Sequence, residues 1–253
     1  MRPSSAKAAW IGLLVLAVGS AWISPFGREL TVGDETKYSR VVWEMADSDE
    51  VLVPRLEGEP YAHKPPLHFW ILTLLSHVFG LGSTWTYVLP SLLFFLVLNW
   101  LTAVVATRIA GMQRGLIASA LFSTFWLAWV VAQTARMDMM FVAAITAGAI
   151  LIFEHFEHGK RGSVVTAGLL FGIAILVKGP MGGVIGIVLF SIERFRRRHS
   201  TERRGWVEPL LALLAILVVP LIWLVPAIFA GGGDYGRELL VDQSLGRAFQ
   251  SWV

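Results

Sequence analysis

Long apolar runs separated by short polar segments form the main pattern of this chain. A membrane-crossing helix needs roughly 20 mostly apolar residues at about 1.5 Å of rise each. Seven runs approach that length, so the pattern predicts an all-α polytopic membrane protein with residues 1–253 in a single membrane domain. The predicted transmembrane helices cover about residues 8–24, 86–107, 115–133, 139–155, 163–178, 180–193 and 209–230.

A loop of residues 25–84 follows the first run, and its first part, residues 25–64, is a long polar segment. Within residues 34–46 the apolar positions recur at intervals of three, one and three, which predicts an amphipathic helix lying at the membrane surface. A second apolar stretch, residues 65–81, is shorter and contains His68 and His77. We therefore expect it to form a second juxtamembrane helix and not a span. The apolar positions of the first helix are Tyr38, Val41, Val42 and Met45.

The composition supports this class. Hydrophobic residues make up 55% of the chain and charged residues 15%, whereas a soluble domain carries about a quarter charged residues. The net charge of +3 gives no indication of a nucleic-acid partner. The absence of cysteine excludes a disulfide framework, cysteine-ligated zinc and thiol chemistry.

The basic residues predict the orientation, because cytoplasmic loops are enriched in Lys and Arg. They concentrate at the N-terminus, in the two short loops at 108–114 and 160–161, and in residues 194–204. If the seven runs span and residues 65–81 do not, all four regions are cytoplasmic, and the first run is a retained anchor instead of a cleaved signal peptide. The same count places six candidate site residues on the outer face: Asp34, Glu35, Lys64, Asp138, Lys178 and Arg247.

Two of the motifs contain acids. The pair Asp34-Glu35 can act as a general base for an acceptor hydroxyl or bind a divalent cation; equally, it can provide the cap and first-turn acids of the following helix. Asp138, two residues after Arg136, lies beside a span, where an acid is costly unless it is solvated, paired or functional. The alternative for Asp138 is a simple ion pair within the loop.

Three motifs contain candidate cations. Lys64 follows His63 and precedes two prolines, where it can neutralise a phosphate or only snorkel to the interface. Lys178 ends a short apolar run at Gly179-Pro180, and a cation at membrane depth beside broken backbone suits an anionic lipid headgroup. A plain helical hairpin is the alternative. Arg247, in a predicted helix over 237–250 after a flexible glycine-rich turn at 231–236, either contacts phosphate or lies on a solvated surface.

These motifs, in this order, resemble those of the dolichyl-phosphate-mannose protein mannosyltransferase superfamily. The likeness is to the N-terminal half of its bacterial branch, near the undecaprenyl-phosphate aminoarabinose transferases, and covers about residues 10–250. The motifs that carry it are Asp34-Glu35-Thr-Lys-Tyr38, Val53-Pro-Arg55, Pro60-Tyr-Ala-His-Lys-Pro-Pro66 with Trp70 and Phe79-Gly80, Ala135-Arg-Met-Asp138, and Leu176-Val-Lys-Gly-Pro180.

The resemblance implies a GT-C-like helical bundle with two juxtamembrane helices in the first outer loop, in a bacterial cytoplasmic membrane. It implies an inverting glycosyltransferase that moves a sugar from a polyprenyl-phosphate donor to a lipid or protein acceptor on the outer face. By the resemblance, Asp34 matches the acid at the reaction centre and Asp138 a second acid on the same side, with Glu35 beside Asp34 as a further catalytic candidate. The matching donor-phosphate cations are Lys64 and Lys178, with weaker positions at Lys37 and Arg247.

Two departures from the family pattern affect these expectations. In the aminoarabinose branch the residue before the first lysine is usually Glu and can take part in a metal site; here it is His63, the one candidate metal ligand, so we expect divalent-metal binding to be altered or lost. Family members are usually about twice as long, and the C-terminal half of that architecture is expected to be absent here. The rival interpretations are a non-catalytic polyprenyl-phosphate-binding or transporter-like protein, and an inactive subunit that stabilises a partner.

Overall fold

The computed structural model describes residues 3–23, 25–31, 33–48, 50–159, 161–197 and 207–239. These residues are almost entirely helical, with one two-stranded antiparallel hairpin in the first polar loop. In chain order the elements are α1 Pro3–Ile23, α2 Gly33–Ser48, β1 Arg55–Leu56, β2 Glu59–Pro60, α3 Leu67–Phe79, α4 Thr84–Ala110, α5 Met112–Thr124, α6 Trp126–Ala132, α7 Asp138–His158, α8 Arg161–Lys178, α9 Met181–Arg196 and α10 Val207–Arg237.

The chain divides into two compact units. Unit 1 comprises Met1–Ser39 and Leu74–Ala143, and unit 2 comprises Arg40–Thr73 and Ala144–Val253. In unit 1, α4 packs against α5 and α6, and α1 packs against α5. In unit 2, α8 packs against both α9 and α10.

The predicted all-α membrane class is confirmed. Three helices, α4, α7 and α10, are each long and apolar enough to cross a membrane, and the bent pair α5–α6 is a fourth if it is counted as one span. Shorter apolar helices include α3 and most of α8. The full number of seven spans stays a prediction.

The single helix predicted over 115–133 is in fact two helices. α5 and α6 meet at a bend of 65°, where Phe125 has extended backbone angles (φ −67°, ψ 114°). The hydroxyls of Ser123 and Thr124 donate to carbonyl oxygens of their own helix, those of Ser119 and Ala120, at 2.6 and 3.2 Å. Hydrogen bonds from Ser and Thr side chains to the carbonyls of the preceding turn often bend helices. The spacing of apolar residues alone does not reveal such a bend.

The glycine-rich segment 231–236, predicted as a flexible turn, contains a kink that divides α10 into two helical parts. Gly232, with φ +81° and ψ 174°, leaves helical geometry, and the second part ends at Arg237. Gly231 packs beneath the ring of Tyr235, which would lie 2.6 Å from an added Cβ. The helix predicted over 237–250 lies outside the described residues beyond position 239.

The amphipathic helix predicted in the first polar loop is confirmed as α2. Its four apolar positions are all buried, with Val41 and Val42 fully inaccessible. The juxtamembrane stretch predicted at 65–81 likewise forms a helix, α3. Their position at the membrane surface stays a prediction.

Glu44 of α2 holds the turn between β1 and β2. Its carboxylate accepts hydrogen bonds from the backbone N–H groups of Glu57 and Gly58 at 2.8 and 3.0 Å, and from Arg40 Nε at 3.1 Å. Burial raises the pKa of Glu44, but these hydrogen bonds outweigh burial, so the pKa lies below its ordinary value of 4.5. The ionised carboxylate therefore stabilises a turn in which Glu57 adopts a positive φ of 57°.

Glu44→Gln should weaken this loop in a pH-dependent way. Because the folded-state pKa is depressed, the stabilisation is fully present above the unfolded-state pKa and is lost as the pH falls through the lower folded-state value. Wild type should therefore be more thermally stable than Glu44→Gln at pH 7, and the difference should shrink below about pH 4.5. The stability of the loop is measured by thermal unfolding, monitored by proteolytic cleavage within residues 50–60. A stability difference between the two proteins that does not change with pH would contradict the assignment.

Small residues allow α8 and α10 to approach closely. A Cβ added to Gly168 would lie 2.6 Å from Ala215 Cβ, and one added to Gly172 would lie 2.8 Å from the carbonyl oxygen of Ile216. The two glycines are four positions apart on α8, the spacing that lets helix backbones pack directly in membranes.

Gly172→Val should separate α8 from α10 and lower the thermal stability of unit 2, because the nearest atom is backbone and cannot rotate away. Overpacking of this kind costs typically about 1–3 kcal/mol. Gly162→Ala is the matched control, because its site on the same helix is open, with nothing within 4 Å of an added Cβ. Equal melting temperatures for both variants would show that the contact is not close.

Candidate functional site

The two acids predicted at the reaction centre lie close together in unit 1. Asp34 is in the first turn of α2, and Asp138 is the first residue of α7. Arg136 joins them: its Nη1 lies 3.4 Å from Asp34 Oδ2, and its Nε donates to Asp138 Oδ2 at 2.9 Å. The hydrogen bond to Asp138 and the nearby charges of Asp138 and Asp34 raise the pKa of Arg136. The cluster therefore carries two carboxylates and one permanent cation.

Glu35, predicted as a further catalytic acid, has a different environment from Asp34. Its side chain is fully buried, whereas that of Asp34 is 42% exposed. Arg28 Nη2 donates to Glu35 Oε2 at 2.5 Å, and the backbone N–H of Ala135 donates to Oε1 at 2.7 Å. Both carboxylate oxygens of Glu35 are thus engaged with the protein.

The loop between α6 and α7, which presents Arg136, is held by two residues from elsewhere in unit 1. Arg28 Nη1 donates to the carbonyl oxygen of Gln133 at 2.5 Å. Ser91 Oγ of α4 lies 2.7 and 2.8 Å from the carbonyl oxygens of Thr134 and Arg136. Sequence reasoning missed Arg28 and Ser91, whose partners in this loop are 43 to 105 positions away along the chain.

An apolar groove in unit 1 ends at this cluster. Its volume is about 660 Å³, and side chains from α4, α5, α6 and α7 line it. Most of them are apolar, including Phe122 and Met139, and the polar groups in its wall include Arg136 and Asp138. The groove can hold a hydrocarbon chain whose polar end meets the acid cluster.

The two main candidate cations meet in unit 2. Lys64 and Lys178 line one cavity of about 120 Å³ together with His63, Pro180 and Trp223. Lys178 ends α8, and Gly179, with φ +96°, makes the break before α9 that the sequence predicted. The indole N–H of Trp223 donates to the carbonyl oxygen of Leu52 at 2.8 Å, which ties α10 to the first polar loop. Two partly buried ammonium groups on one cavity suit a phosphate.

The remaining candidates are less central. The ring of His63 stacks on Tyr61 with centroids 5.1 Å apart, and its Nε2 lies 3.8 Å from Glu238 Oε1. Within the described ranges, no group of three or more His, Cys, Asp or Glu side chains could hold a metal ion with it. Lys37 is exposed on α2. Arg247 lies outside the described residues.

Comparison with known proteins reveals similarity over most of the chain. The chain is 30% identical over 239 residues to the undecaprenyl phosphate-alpha-4-amino-4-deoxy-L-arabinose arabinosyl transferase of Edwardsiella ictaluri, covering 91% of this chain and 42% of that protein. It is 27% identical to the enzyme of the same name from Serratia proteamaculans, covering 72% and 35%. The chain thus spans less than half the length of these relatives.

Solved structures show the same fold. The chain superimposes on ArnT from Cupriavidus metallidurans bound to undecaprenyl phosphate with a TM-score of 0.76 and 23% identity, over 93% of this chain and 44% of ArnT. The apo state of that protein gives a TM-score of 0.78. Residues 63–223 match the model of the dolichyl-phosphate-mannose-protein mannosyltransferase family. Because that match takes in more than half of the sequence and includes both cavity lysines, the chain belongs to this family of integral membrane proteins.

Proposed function

We propose that this chain serves an inverting glycosyltransferase that moves a sugar from a polyprenyl-phosphate donor to a lipid or protein acceptor. The observation that carries the proposal is the cavity of unit 2, where Lys64 and Lys178 converge although they are distant in sequence. A phosphate monoanion or dianion is the ligand chemistry that two neighbouring ammonium groups recognise. The relatives named for undecaprenyl-phosphate-linked aminoarabinose support this choice.

In this reaction, Asp34 accepts the proton of the acceptor hydroxyl. The hydroxyl oxygen then forms a bond to the anomeric carbon of the donor sugar. The bond from that carbon to the phosphate oxygen breaks, and the polyprenyl phosphate leaves with the electron pair. Lys64 and Lys178 stabilise the charge that develops on the leaving phosphate, which is most effective in a poorly solvated site. A single displacement of this kind inverts the anomeric carbon.

The other site residues have supporting roles in the proposal. Arg136 keeps the carboxylates of Asp34 and Asp138 oriented, because its guanidinium contacts both of them. Glu35 positions this group and is not itself the base, because both of its oxygens are engaged in a buried site. Lys37 and Arg247 remain secondary candidates for the donor phosphate, and His63 remains the candidate metal ligand.

The proposal also includes a location. The basic loops favour a cytoplasmic N-terminus, with the acids on the outer face of the membrane. The bacterial relatives support the inner membrane of a bacterium as the location. The acceptor is then a molecule available at that face. The apolar groove beside Asp138 favours an acceptor that carries a hydrocarbon chain.

Binding of the donor is the first test. Native mass spectrometry of the chain with a polyprenyl-phosphate sugar, in competition with excess anionic phospholipid, should show selective retention of the donor. Lys178→Ala should lose most of this retention, whereas Arg114→Ala, which removes an exposed cation outside the cavity, should not. Equal retention in both variants would contradict the assignment of the cavity.

Transfer is the second test. Release of free polyprenyl phosphate from the glycosylated donor, dependent on an added acceptor, distinguishes the enzyme from a non-catalytic lipid-binding protein. Selective binding with no release in the presence of acceptors would favour the latter. If the chain does not bind the donor selectively, both the transferase and the lipid-binding interpretation are contradicted.

A further inference from the structure

Tyr235 is a buried tyrosine whose hydroxyl group has no hydrogen-bond partner among the described residues. Only 3% of the residue is exposed, and within the described part of the chain the hydroxyl makes no hydrogen bond. Leaving a buried donor unsatisfied costs stability, so native proteins rarely retain one without a reason. Phenylalanine would fill the same space without that cost.

Tyr87 shows the usual arrangement in the same chain. It is equally buried, at 1% exposure, and its hydroxyl donates to the carbonyl oxygen of Leu81 at 2.8 Å. The two tyrosines therefore differ in the partner of the hydroxyl and not in burial.

Tyr235 packs behind the wall of the cavity that contains the two lysines, among residues that line it. It belongs to a buried cluster with Leu176, Trp223 and Leu239. These three residues also line the cavity of Lys64 and Lys178. An unsatisfied donor is thus placed beside the site that attracts an anion.

Two glycines fix the phenol in this place. Gly231 leaves room for the ring, because a Cβ there would approach the ring to 2.6 Å. Gly232, with φ +81°, makes the kink in α10 that precedes Tyr235, and other residues rarely adopt this conformation. The position of the tyrosine ring therefore depends on glycine at both of these positions.

We propose that the hydroxyl of Tyr235 donates a hydrogen bond to an oxygen of the polar headgroup held by Lys64 and Lys178. This inference rests on the proposed donor site and adds a third binding residue to it. The lysines supply charge without strong directional preference, whereas a phenol supplies one directed, neutral donor. A bound ligand provides the acceptor for this hydroxyl, so the unsatisfied donor lowers stability only in the ligand-free protein.

Tyr235→Phe gives a test with two effects of opposite sign. Without ligand, the variant should melt at the same temperature as wild type or higher, because it loses only an unsatisfied hydroxyl. With undecaprenyl phosphate in detergent micelles, it should bind about five- to tenfold more weakly, as expected for the loss of one hydrogen bond. Tyr87→Phe is the matched control: it should melt lower and bind the lipid as wild type does.

Two ligands locate the accepting oxygen. If undecaprenyl phosphate and its glycosylated form both bind more weakly to Tyr235→Phe, the acceptor is a phosphate oxygen; if only the glycosylated form does, the acceptor belongs to the sugar. Unchanged affinity for both ligands would overturn the inference while leaving the donor site intact. A lower melting temperature without ligand would also overturn it, since the hydroxyl would then have a protein partner. If wild type binds neither lipid selectively, the donor site itself falls, and this inference with it.

Discussion

Asp34→Asn is expected to abolish sugar transfer while leaving the protein folded in the membrane. The asparagine side chain has nearly the same shape but cannot accept the proton of the acceptor hydroxyl. General-base catalysis contributes about 10²–10⁴-fold, so transfer should fall by at least about a hundredfold. The rate of polyprenyl-phosphate release from the glycosylated donor, with acceptor present, measures the effect.

Two further acids serve as controls for Asp34. Asp47→Asn changes an exposed acid on the same helix, α2, and should transfer at the wild-type rate. Asp138→Asn keeps a hydrogen-bond acceptor for Arg136 and should reduce transfer less than Asp34→Asn does. If Asp34→Asn is nearly as active as wild type while Asp138→Asn is inactive, the base is Asp138 and the roles proposed here are reversed.

Selective binding of the donor lipid should survive in Asp34→Asn, because the lysine cavity lies in unit 2 and its lining does not include Asp34. This separates loss of chemistry from loss of the site. A variant that neither binds nor transfers would instead indicate that the fold itself has been disturbed.

Much of the fold could be predicted from local pattern. The apolar face of α2 and the break after Lys178 follow from residue spacing and from Gly179-Pro180, which act within a few positions of the chain. The count of membrane crossings also predicted that Asp34 and Asp138, about a hundred positions apart, would lie on the same face. In the structure both contact Arg136.

Details that depend on side-chain contacts could not be predicted. Asp34 and Glu35 are adjacent in sequence, but successive residues point about 100° apart on a helix. Asp34 therefore remains accessible, whereas Glu35 is buried against Arg28. The sequence marks both as acids in the first turn and does not indicate which one faces inward.

The Arg28–Glu35 pair leads to the second large expected effect. Arg28→Ala should destabilise unit 1 by about 3 kcal/mol, since removing one partner of a buried ion pair costs about 3–5 kcal/mol and Arg28 is partly exposed to water. The loss has two sources: the carboxylate of Glu35 stays buried without its cation, and the carbonyl of Gln133 loses its donor. Thermal unfolding in detergent micelles, compared with wild type, measures the change.

Arg40→Ala is the matched control for that variant. Arg40 also pairs with a glutamate, Glu44 at 3.1 Å, but its side chain is 62% exposed. An exposed pair four residues apart on a helix contributes only about 0.3–0.5 kcal/mol. Equal destabilisation by the two variants would mean that the Arg28–Glu35 pair is effectively solvated and does not hold the loop.

A double variant identifies the buried charge as the cause. In Arg28→Ala/Glu35→Gln the uncharged amide still accepts the hydrogen bond from Ala135 but leaves no unpaired carboxylate. The double variant should therefore be more stable than Arg28→Ala alone, although it has lost more of the native side chains. It should also regain part of the transfer activity, because the loop that presents Arg136 is again held against α2. If Glu35 were the catalytic base, the double variant would have lost that base and would transfer no better than Arg28→Ala. Comparing the transfer activity of these two variants therefore decides between a positioning and a catalytic role for Glu35.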